Sequence, residues 1–407
     1  MFLGDTVKEM ALPFLLRRVE LRNYRSIEHC DVELGPLMFL VGPNGSGKSN
    51  FLDALRFVSD CLNTSVDQAL RVRGGFGAVC RAQSTGTQRF SIELTLDFAG
   101  NVTATYFVEI SAGSERMFEI TKERCRFTDP VLAKPLQFER SRTGPPIYSM
   151  SLEIPRIQGL EGLRPSVDRL YLGSLNGWSA FRRVHQSLAD MSFYNPLIAP
   201  MRDYQIQDPG SRLTPNASNM ASVFRTMREA HPDWAERVYQ YLSAAIPRLR
   251  KIEYVEVGER ITLQFAEASI DGSERNFYAS NMSDGTLRML AILLALFQRS
   301  EQETSLVGIE EPEMGVHPAA AGVLFDSLSE ASYFRQVLVT SHSSELLDRD
   351  EVDVDTLLAV SADNGTTMIG PINDRQKEVL RKRLGTAGEL LRTNHLSPGQ
   401  ADLVSRT

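Results

Sequence analysis

Apolar positions along the chain follow two periods. Residues 14–34 alternate apolar and polar side chains, which predicts two strands around a turn at Asn23–Ser26. Leu37–Val41 is a short apolar run that ends in a glycine-rich loop. From Ser49 the period changes: Phe51, Leu55, Val58 and Leu62 recur at spacings of four, three and four, as on one face of a helix. The reading is strand, loop, helix. Residues 71–89 are rich in Gly, Arg, Ser and Thr and read as loop. Residues 90–128 alternate again (Phe90, Ile92, Leu94, Leu96; then Ala104, Tyr106, Val108, Ile110) and predict antiparallel strands. Residues 129–215 hold many prolines and no long period, so irregular structure and short helices are expected there. Asn219–Ala230 and Asp233–Ile246 read as two short helices, with Pro232 suited to a first turn. Residues 252–265 alternate like strands.

The C-terminal third carries the sharpest signals. Gly285–Arg299 is apolar nearly all round, the mark of a buried helix. Leu306–Ile309 and Val337–Thr340 read as strands, with a helix at Ala319–Ser332 between them. Asp374–Arg392 reads as a helix with Gly385 near its middle. There is no internal repeat and no sustained heptad.

Composition adds little to this picture. The chain has 407 residues, 42% hydrophobic and 23% charged, ordinary for a soluble globular protein. Its formal net charge is −7, which gives no support to a dedicated nucleic-acid binder, although a local basic groove is compatible with it. The basic clusters Arg17-Arg18 and Arg381-Lys382-Arg383 read as solvated faces. Cys30, Cys61, Cys80 and Cys125 form no C-x-x-C pair, so free thiols in a reducing cytoplasm are expected. Asp5, Lys8 and Glu9 make a poor signal peptide. The longest apolar run, Met289–Phe297, has nine residues and is too short to span a bilayer.

The chemistry starts at Gly42-Pro43-Asn44-Gly45-Ser46-Gly47-Lys48-Ser49, which matches G-x-x-x-x-G-K-[ST]. Glycines let backbone N–H groups turn inward around phosphate oxygens. The following helix aims its positive end at the same anion. Lys48 adds a point charge and Ser49 a hydroxyl for magnesium. A random chain of this size shows the pattern roughly once or twice in a hundred; the flanking strand and helix make chance a poorer account.

Ser305–Ile309 is an apolar strand that stops at Glu310 and Glu311, followed by Pro312. A polar turn explains this equally when it is taken alone. Beside a phosphate loop it suits magnesium chemistry, one carboxylate reaching the metal through water and the next orienting and deprotonating a water. Ser283-Asp284-Gly285 opens the apolar helix: either acid or hydroxyl makes an ordinary N-cap, and the same helix end is an anion site. Val337–Ser341 ends at His342; a lone histidine is usually just packed or solvated, and at a strand end beside a phosphate loop it is instead a candidate sensor of a terminal phosphate.

Taken in order, these elements resemble the ABC ATPase family in its soluble branch, the RecF, structural-maintenance-of-chromosomes and OLD-like ATPases. Gly42–Ser49 looks like Walker A, Ser283-Asp284-Gly285 like the signature motif, and Ile309-Glu310-Glu311-Pro312-Glu313 like an E-E-P-E form of Walker B. Glu313–Pro318 is similar to the branch's D-loop segment, His342 to its switch histidine, and Asn23-Tyr24-Arg25-Ser26 to its N-terminal N-[FY]-[RK]-S turn. Thr386–Leu391 is similar to a segment of a bacterial subgroup of predicted ATPases. The resemblance is close over residues 17–97 and 278–348. Two departures stand out: Gly308 interrupts the Walker B strand, and the glutamine loop has no clear match, Gln83 and Gln137 being equal guesses.

The resemblance implies an α/β fold, a P-loop NTPase with an ABC ATPase head, an antiparallel β subdomain and a mixed, partly helical insertion lobe. It implies ATP and Mg2+ as ligands, with Asn23, Arg25, Asn44, Gly45, Ser46, Gly47, Lys48, Ser49 and Asn50 at the nucleotide. Ser49 and Glu310 would serve the metal, Glu311 as base, with Lys48 and His342 assisting. Ser283, Asp284 and Gly285 would act from a second subunit, giving a homodimer around two ATP molecules. About 230 residues separate Lys48 from Ser283, so four parts are expected: 1–97 with Walker A, an inserted lobe at 98–280, 281–372 with the other motifs, and a helical tail at 373–407. The lobe lacks long heptads and a C-x-x-C hook, and the chain stops soon after His342 for the metal-binding nuclease domain of OLD proteins. The implied function is a cytoplasmic ATP-hydrolysing switch in DNA repair or antiphage defence, working with an effector or nuclease. A non-catalytic, ATP-gated assembly module is the alternative. A small-molecule kinase has no use for Ser283–Gly285 and His342, and the E-E-P-E form speaks against a transporter subunit.

Overall fold

β1 (Phe14–Tyr24) and β2 (Ile27–Glu33) form a hairpin, and β3 (Leu37–Val41) leads through the glycine-rich loop into α1 (Lys48–Asn63). Two short helices follow, α2 (Val66–Arg71) and α3 (Phe76–Val79), the second inside the stretch at 71–89 that reads as loop. A computed structural model describes residues 12, 14–82, 86–113, 117–141, 147–149, 167–269, 271–299, 306–349, 351–393 and 395–399. β4 (Arg89–Phe98), β5 (Val102–Ser111), β6 (Glu119–Thr128), β7 (Leu136–Ser141) and β8 (Ile147–Ser149) form an antiparallel meander. Next come α4 (Ser179–Ala189), β9 (Ser192–Tyr194), α5 (Ile198–Arg202), β10 (Gln205–Ile206), α6 (Met220–Ala230) and α7 (Pro232–Ala245). β11 (Leu249–Val257), β12 (Arg260–Ala268) and β13 (Glu274–Tyr278) join β10 in a small antiparallel sheet. α8 (Asp284–Phe297), β14 (Leu306–Glu310), α9 (Ala321–Ala331), β15 (Gln336–Ser341) and α10 (Ser344–Leu347) follow. The chain continues through the hairpin β16 (Leu357–Asp363) and β17 (Thr366–Pro371), then α11 (Asp374–Arg381) and α12 (Ala387–Arg392).

One 13-stranded sheet runs β8-β7-β6-β5-β4-β1-β2-β17-β16-β3-β15-β14-β9. From β16 to β9 it is parallel; from β8 to β2 it is antiparallel. The parallel strands are buried along most of their length and largely apolar, β3 in every position, because both faces are covered. On β3, Met38 and Leu40 enter one core with Phe51 and Leu55 of α1. Phe39 and Val41 enter the other, with Leu290 and Leu294 of α8. α8 is apolar nearly all round because it is itself buried from Thr286 to Phe297, apart from Arg288.

The structure divides the chain differently from the four expected parts. A boundary at 97/98 would cut the β4–β5 hairpin, which is paired without a break from Arg89↔Ser111 to Phe98↔Val102. The described residues of 98–280 therefore fall into three groups: the four outer strands β5–β8 of the main sheet, the edge strand β9 beside β14, and helices with the small sheet. Alternation within one strand says nothing about which sheet the strand joins, so the sequence could not show this. The helix expected over Asp374–Arg392 is broken instead, with Arg383 at φ 53 between α11 and α12. All four cysteines are buried and free. Among the described residues no helix is long and apolar enough to cross a membrane.

Candidate nucleotide site

The carboxyl ends of β3, β15 and β14 lie side by side: Val41 pairs Ser341, and Thr340 pairs Glu310. Ligands of open α/β sheets bind off this edge. The edge collects the phosphate loop, the acidic strand end and His342, although nearly 300 residues separate the first from the last.

In the loop, Asn44, Gly45 and Ser49 are exposed at the mouth, while Ser46 and Lys48 are buried. Gly47 caps α1 at φ 102, and a Cβ there would meet Thr367 Oγ1 at 2.0 Å. The Lys48 ammonium donates to the carbonyls of Gly42 (2.8 Å) and Pro43 (3.0 Å). Burial pulls its pKa below the ordinary lysine value, and the carboxylates of Glu311 and Glu313 oppose that pull. The Ser46 hydroxyl is buried with no hydrogen-bond partner. An unpaired buried hydroxyl, a lysine folded back onto loop carbonyls and an α1 N-terminus with no side-chain cap fit a polyphosphate. Ser49 and the half-buried Glu310 are oxygen donors of the kind magnesium takes.

Glu311 sits at φ 45, a conformation costly for a non-glycine residue and concentrated at functional sites. Its N–H donates to Thr340 O (2.9 Å), which locks the strain in place. His342 Nδ1 lies 3.4 Å from Glu311 Oε1. Glu313 accepts the hydroxyl of Ser341 and the amide of His342. Gly308 has a packing reason: it pairs with Phe193 of β9, whose ring a Cβ would meet at 2.5 Å.

The signature residues open α8 elsewhere on the edge. Ser283 accepts Thr286 N–H at 3.2 Å, so the plain N-cap reading holds. Asp284 pairs with Arg202 of α5 at 2.6 Å. Gly285 packs on the D-loop, where a Cβ would meet Gly315 O at 2.2 Å. Ser283 and Asp284 are exposed.

The N-terminal turn is placed beside α1. Asn23 and Arg25 have φ of 54 and 50. The Arg25 guanidinium pairs with Asp53 at 2.9 Å, and Tyr24 donates its hydroxyl to the same carboxylate at 2.7 Å. Asn50 donates to Ser26 Oγ at 2.6 Å. Sequence reasoning missed Thr367, whose hydroxyl donates to Ser46 O (2.8 Å) and is shared with Ser26 Oγ (2.7 Å). Nothing local marks it; the contact depends on β17 pairing with β2. Of the two glutamine guesses, one falls on a described residue and stands away from the site. Gln137 stands on β7, eight strands from β3 in the sheet order, or roughly 40 Å, and Gln83 lies outside the described residues.

Comparison with known proteins agrees with this arrangement. A family model described as an AAA domain, putative AbiEii toxin, Type IV TA system, matches residues 174–348, and an AAA ATPase domain model matches residues 15–122. The OLD nuclease of Thermus scotoductus is 23% identical over 418 residues, covering 96% of this chain and 71% of that protein. The DNA replication and repair protein RecF of Phocaeicola vulgatus is 36% identical over 66 residues, only 15% of this chain and 18% of that one. Among solved structures, an SMC head bound to the C-winged helix domain of ScpA aligns at TM-score 0.49 and 12% identity, covering 87% of this chain and 96% of that one. The motif order and the two ATPase-domain matches are those of an AAA/ABC-type ATPase, and the relatives it is similar to are of the OLD and RecF kind.

Proposed function

We propose that the protein binds and hydrolyses ATP as a face-to-face homodimer, and that this switch serves DNA repair or antiphage defence together with an effector or nuclease. The observation that carries hydrolysis is the strained Glu311 held 3.4 Å from His342 on the sheet edge that also holds Lys48. In this reading Lys48, Ser46 and the loop amides hold the β- and γ-phosphates. Glu311 accepts a proton from water as the water oxygen attacks the γ-phosphorus. The bond from that phosphorus to the bridging oxygen breaks, and ADP leaves. His342 hydrogen-bonds the γ-phosphate. Magnesium, when bound at Ser49 and through water at Glu310, neutralises phosphate charge. An intact Glu311–His342 pair favours turnover over a purely assembling role.

Pairing is supported by the exposed Ser283 and Asp284 and by Met314, 44% exposed on the neighbouring D-loop. A two-fold partner would bring its Ser283 to this chain's nucleotide in an isologous interface. ATP bound to the dimer in preference to the monomer then drives assembly by mass action. The biological setting rests on the OLD and RecF relatives.

A mixing experiment tests the shared site. Lys48→Ala and Ser283→Arg chains, each inactive alone, are combined and allowed to exchange. The heterodimer contains one intact site, from Lys48 of the second chain and Ser283 of the first, and should regain measurable ATP hydrolysis. Heterodimers shown to form but without recovered turnover would sink the trans arrangement.

A further inference from the structure

Glu313 lies two residues beyond the proposed base, and no step above uses it. Its Oε1 accepts the Ser341 hydroxyl at 2.7 Å and the His342 amide at 3.1 Å. Ser341 Oγ in turn accepts the Ser343 amide at 3.0 Å. One carboxylate oxygen therefore organises three successive residues after β15. The side chain is 10% exposed, and its Oε2 is buried without a partner. By contrast the His342 side chain is 37% exposed, with Nδ1 between Glu311 Oε1 at 3.4 Å and Glu313 Oε1 at 3.9 Å.

We infer that Glu313 is a positioning residue: it fixes the 341–343 turn so that the His342 imidazole faces Glu311 and the nucleotide. The inference rests on the ATPase reading for its consequence, but not for its geometry. A half-exposed imidazole at a strand end keeps its rotamer freedom unless its backbone is held. Charge-assisted bonds accepted by a carboxylate are about twice as strong as neutral ones, and burial spares them competition from water. Oε1 already serves two donors, which makes it a brace for the turn rather than a second base.

The test compares Glu313→Ala and Glu313→Gln in the full-length protein. The amide keeps an acceptor oxygen in the same place; alanine does not. Glu313→Ala should lower kcat on the order of tenfold to a hundredfold, as misplacement of a reacting group does. KM for ATP should stay within about threefold in both variants, and Glu313→Gln should keep kcat within about threefold of the unaltered chain. Hydrogen exchange supplies an arm independent of turnover. The amides of Ser341–Ser343 should exchange about tenfold faster or more in Glu313→Ala and be protected in Glu313→Gln. Should Glu313→Ala fail to fold, Ser341→Ala removes the same hydroxyl bond and should lower kcat in the same direction. Unchanged protection in Glu313→Ala, or in Ser341→Ala if that variant must stand in, overturns the inference. So does a Glu313→Gln chain as slow as Glu313→Ala, because the negative charge rather than the brace would then be the requirement. A wild-type chain that turns over no ATP with magnesium defeats the ATPase reading, and the exchange arm still decides the role of Glu313.

Discussion

Two helix N-termini face the edge of this molecule, and they are finished differently. The α1 end has no side-chain cap: Gly47 sits at φ 102, the Ser46 hydroxyl has no partner, and Lys48 folds back onto two loop carbonyls. The α8 end is satisfied within the chain: Ser283 accepts Thr286 N–H and Asp284 is held by Arg202. Both ends carry the same positive dipole. The difference is that α1 leaves donors for a ligand, whereas α8 has spent its first bonds on itself and presents an exposed hydroxyl. An open end binds alone; a capped end contributes when something is brought to it. That contrast is the physical ground for proposing nucleotide binding at α1 and assembly at α8.

The largest expected effect strikes the open end. Lys48→Ala removes the cation buried in the phosphate cradle, and ATP affinity should fall on the order of a hundredfold or more. Calorimetry on the isolated chain reads this directly. Equal affinity in variant and parent would remove the distinction between the two helix ends, because the loop would then hold phosphate no better than a plain N-terminus.

Glu311→Gln comes next. It should leave ATP bound, with affinity within about threefold, and lower kcat on the order of a hundredfold or more through loss of the positioned base. In the trapped state the capped end should show its use: light scattering should report an ATP-dependent doubling of mass that Ser283→Arg abolishes. Turnover that survives in Glu311→Gln places the base elsewhere.

The same contrast explains what could be read in advance. Gly42–Ser49 is legible because the phosphate loop is local: eight adjacent residues contain both the turn and the cation. Ser283 is legible as a cap for the same reason. The α/β class follows from apolar strands buried on both faces, such as Leu37–Val41. What could not be read are the braces made across the fold. Thr367 reaches Ser46 only because β17 pairs with β2. Arg25 lies on Asp53 because the Asn23–Ser26 turn packs beside α1. The antiparallel wing and the edge strand β9 read as a separate lobe because alternation reports burial on one face, not which sheet a strand enters.

The smallest expected effect tests whether the open end depends on such a brace. Thr367 Oγ1 donates to Ser46 O at 2.8 Å and accepts the hydroxyl of Ser26, which in turn accepts from Asn50 of α1. Thr367 is 2% exposed, so replacing it by valine keeps the volume but leaves the Ser46 carbonyl buried without this donor. Such a loss costs about 1–3 kcal/mol. Part of that falls on the fold and part on the loop conformation that ATP selects. Thr367→Val should therefore weaken ATP binding about threefold to tenfold, with a modest fall in melting temperature. The capped end has no share in this contact. Mixing Thr367→Val with Lys48→Ala should thus still give hydrolysis at saturating ATP, since the Thr367→Val chain retains Lys48 and the Lys48→Ala chain supplies Ser283. Unchanged ATP affinity with a lowered melting temperature would mean that the β16–β17 hairpin supports the sheet and not the phosphate loop, and that the open end is shaped by its own eight residues alone.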